Sequence, residues 1–487
     1  MSFINITKEK LNKAFTENGD VAYNTSFSAC LDYFALAGAM RFNYDKALSS
    51  FIKAFYEDKL IAIKILFYIR DIKEGLGERN LFRYTFNTLC NFYPNIAKQL
   101  LEYIPVYGRY DDLLVALNTP VEFDMVDIIR KQLEKDIENK KNGKPVSLLS
   151  KWLPSINTSS KEARLMANRL CDLLEMDKAD YRKTLSMLRK GIIIENNLRE
   201  KDYTFDYQKV PAGAMFKYEE AFYRNDDVRY NQYLDDVVAG KKTLKAKTLY
   251  PYQVVRNVFY RSVSDEERKM LNATWKSLKG DEVNSKTLVV RDGSGSMYDY
   301  NNPTANDVAS SLTILFAERL TGEFHNKFIT FSSKPQLVEL KGDDIVEKCH
   351  QLEAYDDISN TDIQKVYKLI LNVYKSNKFK KEDALDRIVI ISDMEFDCCS
   401  DNAEISTFEY FKKEFNKIGY DMPQLVFWNV RARNVHLPVT KDEKGVILVS
   451  GSSQNVIDMV CNNEAFDPYE FMLKVLQKYS CFDKINL

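Results

Sequence analysis

Leu288-Val289-Val290-Arg291-Asp292-Gly293-Ser294-Gly295-Ser296-Met297 is the stretch whose reading decides the fold. The run from Lys286 to Val290 is apolar and β-branched and halts at glycines, the pattern of a strand buried on both faces. The loop after it carries Asp292, Ser294 and Ser296 at the carboxyl end of that strand, where open α/β sheets bind their ligands. One carboxylate and two hydroxyls are hard oxygen donors, suited to Mg²⁺ or another divalent cation of that kind rather than to Zn²⁺. Glycines at 293 and 295 let so short a loop turn both hydroxyls towards one ion.

Outward from this loop the chain alternates strands and helices. Strands are expected at 286–291, 326–332, 336–340, 386–392, 423–430 and 445–450, and helices at 304–321, 343–351, 362–376, 404–418, 453–462 and 467–480. Such alternation predicts a mainly parallel, doubly wound sheet. The hairpin-like pair around Ser333-Lys334-Pro335 adds one antiparallel edge strand. Mg²⁺ takes six oxygens, more than one loop supplies, so further ligands are expected from other strand ends. Thr361, at a loop-to-helix junction, and Asp393, at the end of the run Ile388 to Ser392, are placed to provide them.

Asp292, Ser294, Ser296, Thr361 and Asp393, taken in order, resemble the metal-ion-dependent adhesion site of von Willebrand factor A domains. In that family the serines and the threonine ligate directly and the aspartates act largely through water. The resemblance implies an A-domain fold and a site that captures an acidic residue of a protein partner.

The 487 residues exceed one core, so two or three domains are expected. The net charge of −1 conceals an asymmetry: residues 1–285 carry +6 and the remainder −7. Residues 140–190 alone hold 12 basic against 5 acidic residues. An anionic partner would therefore meet the first half, although a solvated helical surface accounts for the same charges. Residues 1–25 are polar and read as a lead-in. From 26 to 284 apolar residues recur at helical spacing in about ten segments with short loops, as in HEAT-like repeats of stacked helix pairs. The boundary falls at Gly280-Asp281, giving a helical domain over 26–284 and an α/β domain over 285–487.

Several stretches of the first half resemble TROVE-module proteins. They are Arg70-Asp71-Ile72-Lys73-Glu74-Gly75-Leu76-Gly77-Glu78-Arg79, Gly108-Arg109-Tyr110-Asp111-Asp112-Leu113, Lys151-Trp152-Leu153-Pro154, Val210-Pro211, Phe222 to Asp226, and Gly240 to Pro251. Tyr110 stands where that family usually has tryptophan. A TROVE-type helical domain followed by an A domain is the order of the Ro autoantigen relatives, and the chain is similar to Ro-like proteins of plants, viruses and microbes. The resemblance implies a ribonucleoprotein component whose helical ring holds small non-coding or misfolded single-stranded RNA. Lys140, Lys141, Lys144, Lys151, Trp152, Lys161, Arg164, Lys241, Lys242 and Lys245 are the residues expected to meet it. For Trp152 a gap-filling place between helices is an equal reading, and the Arg-Asp pairs fit buried ties between helices as well as RNA contacts.

Other chemistry is disfavoured. Asp292-Gly293-Ser294 lacks the second carboxylate of a D-x-D phosphatase, there is no G-x-S-x-G elbow, and no Walker A or G-x-G-x-x-G occurs. His325, His350 and His436 stand apart from one another, so an enzyme is not expected. Eight cysteines without CxxC spacing give no zinc framework. The run from Leu60 to Ile69 is too short for a bilayer, so a cytoplasmic protein without membrane or DNA partners is expected. A protein–protein adaptor or a viral structural protein that uses the cation site without RNA is the competing reading.

Overall fold

Thr287–Asp292 is a strand with all six residues buried. In the computed structural model, which describes residues 2–332, 334–356, 362–376, 379–397, 406–463 and 465–487, it is the third strand of the chain. We number the strands β1 (Lys13–Phe15), β2 (Val21–Tyr23), β3 (Thr287–Asp292), β4 (Lys327–Phe331), β5 (Leu337–Glu339), β6 (Arg387–Ser392), β7 (Gln424–Asn429) and β8 (Val446–Ser450). The six from β3 form one sheet in the order β5-β4-β3-β6-β7-β8. All neighbours are parallel except β4 and β5, so the expected antiparallel edge strand is present. Besides Thr287 and Asp292 at its two ends, Arg291 departs from the apolar pattern of β3. Arg291 is buried to 2% exposure, and the strand tolerates it because its guanidinium donates to Asn306 and pairs with Asp356 at 2.5 Å.

The first half is mostly helical, with sequential helices such as Ala29–Leu36, Tyr44–Glu57, Lys59–Arg70 and Arg79–Phe92 packing on one another. Further along, Ala212–Val238 packs on Asp265–Leu278, and Pro251–Tyr260 lies against Ala305–Arg319 of the second half. Ala305–Arg319 is buried at every position because it is covered by the sheet on one side and by Pro251–Tyr260 on another. Among the described residues no helix is long and apolar enough to cross a membrane.

The two halves exchange their ends. Residues 1–25, read from sequence as a lead-in, contain the helix Phe3–Asn12 and the hairpin β1–β2. That hairpin docks on the α/β half: Thr16 Oγ1 donates to the Phe396 carbonyl at 2.6 Å, and Tyr23 and Leu437 exchange backbone hydrogen bonds of 2.9 Å. Polar composition hid the hairpin, which is held by backbone and hydroxyl hydrogen bonds together with the buried Val21 and Ala22. Conversely, the end of the chain returns to the helices. Phe482 lies 4.4 Å from Phe67 between ring centroids, and Tyr479 donates to Asp71 at 3.0 Å. The halves also touch backbone to backbone at Gly38 and Gly451, where a Cβ on Gly38 would come within 2.7 Å of the Gly451 Cα.

Asp112 organises the wall of the helical half. It is wholly buried and accepts from Arg70 Nε at 2.8 Å, Arg83 Nε at 2.5 Å and the Arg109 backbone N–H at 2.9 Å. Gly108 precedes this cluster because a Cβ there would stand 2.5 Å from the Asp112 carboxylate. Removing one partner of a buried pair leaves the other charge desolvated and unanswered. Asp112→Ala is therefore expected to lower stability by about 3–5 kcal/mol, read as a drop in the urea midpoint; an unchanged midpoint would contradict this account of the cluster.

Candidate cation site and basic cavity

The sheet changes winding direction at β3, which has β4 on one side and β6 on the other. Such a switch point opens a crevice beyond the strand ends. Asp292 closes β3, and Asp393 follows Ser392, the last residue of β6. Asp292 Oδ2 accepts from Ser392 Oγ at 2.6 Å, and its Oδ1 accepts from the Ser294 backbone N–H at 2.9 Å. The Ser294 and Ser296 hydroxyls lie 3.0 Å apart. Four of the five residues expected to hold a cation thus meet at one place; Thr361 lies outside the described residues.

Both carboxylates are buried, Asp292 at 0% and Asp393 at 2% exposure. Burial raises the Asp292 carboxyl above its ordinary range against the pull of its hydrogen bonds. Burial, and then the neighbouring charge of Asp292, raise Asp393 from 3.8 to about 7. Asp393 Oδ2 accepts no hydrogen bond, although it is buried. A buried carboxylate oxygen without a donor marks a place fitted for a cation, and carboxylates with hydroxyls form the donor set of a hard divalent ion. The residues present fit Mg²⁺. Met394, just after Asp393, holds a left-handed backbone at φ 67°, a conformation that costs a side-chain-bearing residue about 1–2 kcal/mol. Two neighbours fix the serine loop: Tyr298 donates to Asp356 at 2.5 Å, and Asp299 pairs with Arg431.

A second feature lies in the helical half. A cavity of about 830 Å³ is lined by Arg41, Phe42, Arg70, Glu78, Arg79, Arg109, Tyr110, Lys151, Trp152, Tyr250 and Tyr252, among others, and by Asn302 and Pro303 of the α/β half. Tyr250 donates to the Leu76 carbonyl at 3.0 Å, so the segment at 250 returns to the loop at 76 along the cavity wall. The lining carries five basic side chains and one carboxylate, Glu78. Arg41 pairs with Glu78 at 3.4 Å, Arg70 with Asp112 at 2.6 Å, and Arg109 with Asp111. Burial pushes Asp111 up, but its bond to Arg109 and the charges of Arg83 and Arg109 hold it below the usual carboxylate range. Arg79 differs. No carboxylate among the described residues lies within ion-pair distance of it, its Nε has no hydrogen-bond partner, and burial followed by the Arg109 and Arg83 charges lowers its pKa. The Arg109 guanidinium stacks on Trp152 at 3.7 Å from the ring centroid.

Of the ten residues expected to meet RNA, Lys151 and Trp152 line this cavity. Lys140 donates to the Lys190 carbonyl, Arg164 to that of Thr158, and Lys242 pairs with Asp236. Lys141, Lys144, Lys161, Lys241 and Lys245 are exposed and outside the cavity lining. Sequence reading favoured runs of lysine, whereas the cavity is built from isolated arginines and tyrosines far apart in the chain. Arg79, Arg109, Tyr110 and Tyr250 did lie in the motif stretches quoted above, which was the available signal.

Residues 16–106 and 123–286 match the family described as domain of unknown function DUF2828, and residues 286–481 match domain of unknown function DUF7788. The uncharacterized protein L728 of Acanthamoeba polyphaga mimivirus is 32% identical over 511 residues, spanning 96% of this chain and 88% of that protein. Among solved structures, the crystal structure of the Deinococcus radiodurans Ro (RSR) protein aligns with a TM-score of 0.37 and 11% identity, over 88% of this chain and 93% of that one.

A folded-state pKa above the unfolded value means that the metal-free native protein holds a proton the unfolded chain has released. Its stability contribution from Asp393 therefore declines as pH rises from 3.8 to about 7. A divalent cation needs the carboxylate, so its affinity is expected to increase about tenfold per pH unit up to about pH 7 and then level off. Calorimetric titration of MgCl₂ across about pH 5.5–8 checks this; a pH-independent affinity would contradict it.

Proposed function

The chain belongs to the DUF2828 family, and from that premise we propose that it is a non-catalytic, Ro-like RNA-binding protein that grips a single strand in the basic cavity of its helical half. The observation that carries the proposal is Arg79, a cation with no carboxylate within ion-pair distance among the described residues, in a cavity that also offers Trp152, Tyr110, Tyr250 and Tyr252. Unpaired arginine suits phosphate, and flat aromatic rings suit unstacked bases. A volume of about 830 Å³ admits a few nucleotides of a strand rather than a duplex. The TROVE-like motifs of the sequence favour the same reading, because Arg109, Trp152 and Tyr250 belong to them.

We assign the crevice a docking role of the von Willebrand factor A kind. Asp292, Ser294, Ser296 and Asp393, with Thr361, would hold Mg²⁺ or a similar cation. When bound, the ion supplies an electrophilic point that receives an acidic side chain of a protein partner. The unanswered Asp393 oxygen favours this role, and it is also what favours the adaptor reading, in which RNA plays no part.

Fluorescence anisotropy with a labelled single-stranded oligoribonucleotide separates the two readings. Trp152→Ala is expected to cost about 1–3 kcal/mol of binding. Arg79→Ala should weaken binding and flatten the salt dependence by about one counterion. Asp292→Ala should abolish Mg²⁺ binding and leave RNA affinity unchanged. Affinity that is flat in salt, or no RNA enriched when the protein is purified from cells at low salt, would leave the adaptor as the better account.

A further inference from the structure

We propose that Arg433 is a resident counter-cation of the crevice: its guanidinium balances the Asp292–Asp393 pair when no divalent ion is bound and moves towards Glu17 when one binds, so that Arg433 sets the affinity of the site. The proposal rests on the cation-site reading and adds to it a residue outside the expected ligand set.

Arg433 follows β7 on a loop at the same edge of the sheet. Its guanidinium donates to the Ser296 carbonyl, stands 3.8 Å from Asp393 Oδ2, and lies 3.6 Å from Glu17 Oε2. It thus lies between two anionic stations, one at the bottom of the crevice and one on the β1–β2 hairpin. At 3.8 Å it balances the charge of Asp393 without satisfying that oxygen by a hydrogen bond. A divalent ion drawn to the same carboxylates would repel the guanidinium.

The surroundings anchor the backbone of Arg433 and leave its side chain room. Its carbonyl accepts from Lys46 Nζ at 2.8 Å, and the next residue, Asn434, donates to Glu17 and Glu395. The Arg433 side chain is 34% exposed. Glu17 is fixed opposite it, because its backbone N–H donates to Glu395 at 2.7 Å and Asn18 donates to the Glu395 carbonyl at 2.8 Å. The other arginines near the crevice are engaged elsewhere. Arg291 is held by Asn306 and Asp356, and Arg431 pairs with Asp299 and lies 4.5 Å from the Phe42 ring centroid.

Calorimetric titration of the full chain with MgCl₂ and with MnCl₂ tests the idea, using Asp292→Ala as the baseline. Arg433→Ala should bind either ion roughly tenfold more tightly than the wild type. Arg433→Lys, which keeps the charge, should stay close to wild type. Glu17→Gln should weaken binding several-fold, because the guanidinium loses its second station. In EDTA, Arg433→Ala should melt below the wild type, and saturating Mg²⁺ should bring the two together. Wild type that binds the ion while Arg433→Ala binds it equally or less tightly would overturn the proposal and leave the cation site standing. If neither protein exceeds the Asp292→Ala baseline, the cation site itself falls and the proposal with it. Should Arg433→Ala not fold, Arg433→Lys and Glu17→Gln decide the matter by the same comparison.

Discussion

A carboxylate taken out of water must be answered by donors or cations, and this chain meets that demand in two contrasting ways. Asp112 is answered in full by Arg70, Arg83 and the Arg109 backbone. Its cluster is closed and serves to set the helices around it. Asp292 and Asp393 are answered by hydroxyls, by the backbone N–H groups of Ser294 and Glu395 and by an arginine at 3.8 Å, with one oxygen left over. A closed cluster makes a wall, and an open one makes a site. Each feature of functional interest follows from one or the other, since Asp112 holds Arg109 and, through Arg83, the neighbourhood of Arg79.

The two sites share parts. The loop that carries Ser294 and Ser296 runs on to Asn302 and Pro303 in the cavity lining, and Arg256 of the helical half donates to Asn302 and pairs with Asp307 at 3.0 Å. On the other flank Arg431 ties Asp299 of the same loop to Phe42, a cavity residue. The exchange of chain ends has the same consequence. The hairpin β1–β2 borders the crevice, and the carboxyl-terminal segment packs on the helix Lys59–Arg70, whose last residue lines the cavity.

Local pattern carried much of this in the sequence. A buried strand followed by a hydroxyl-bearing loop has a signature within ten residues, so β3 and its loop were legible, as were the other strands of the same sheet and its antiparallel edge. Asp393 was legible for the same reason, because an apolar run that ends in an aspartate marks a strand end. The hairpin was hidden, since three-residue strands have no periodicity and their hydrogen bonds reach residues some 380 positions away. Arg433 was hidden too, as nothing near it in sequence is acidic. The cavity misled in the opposite sense, because runs of lysine attract the eye while burial selects arginine, which is more weakly hydrated and pairs in fixed geometry.

By itself the sequence determined which strands build the six-stranded sheet and which oxygen donors stand at the ends of β3 and β6, because each depends on residues close together in the chain. Only the tertiary structure decided which charges are answered. That property depends on what lies opposite a side chain after folding: Asp112 meets donors from three residues, while among the described residues Asp393 Oδ2 meets a guanidinium at 3.8 Å and no hydrogen-bond donor, and Arg79 meets no carboxylate within ion-pair reach.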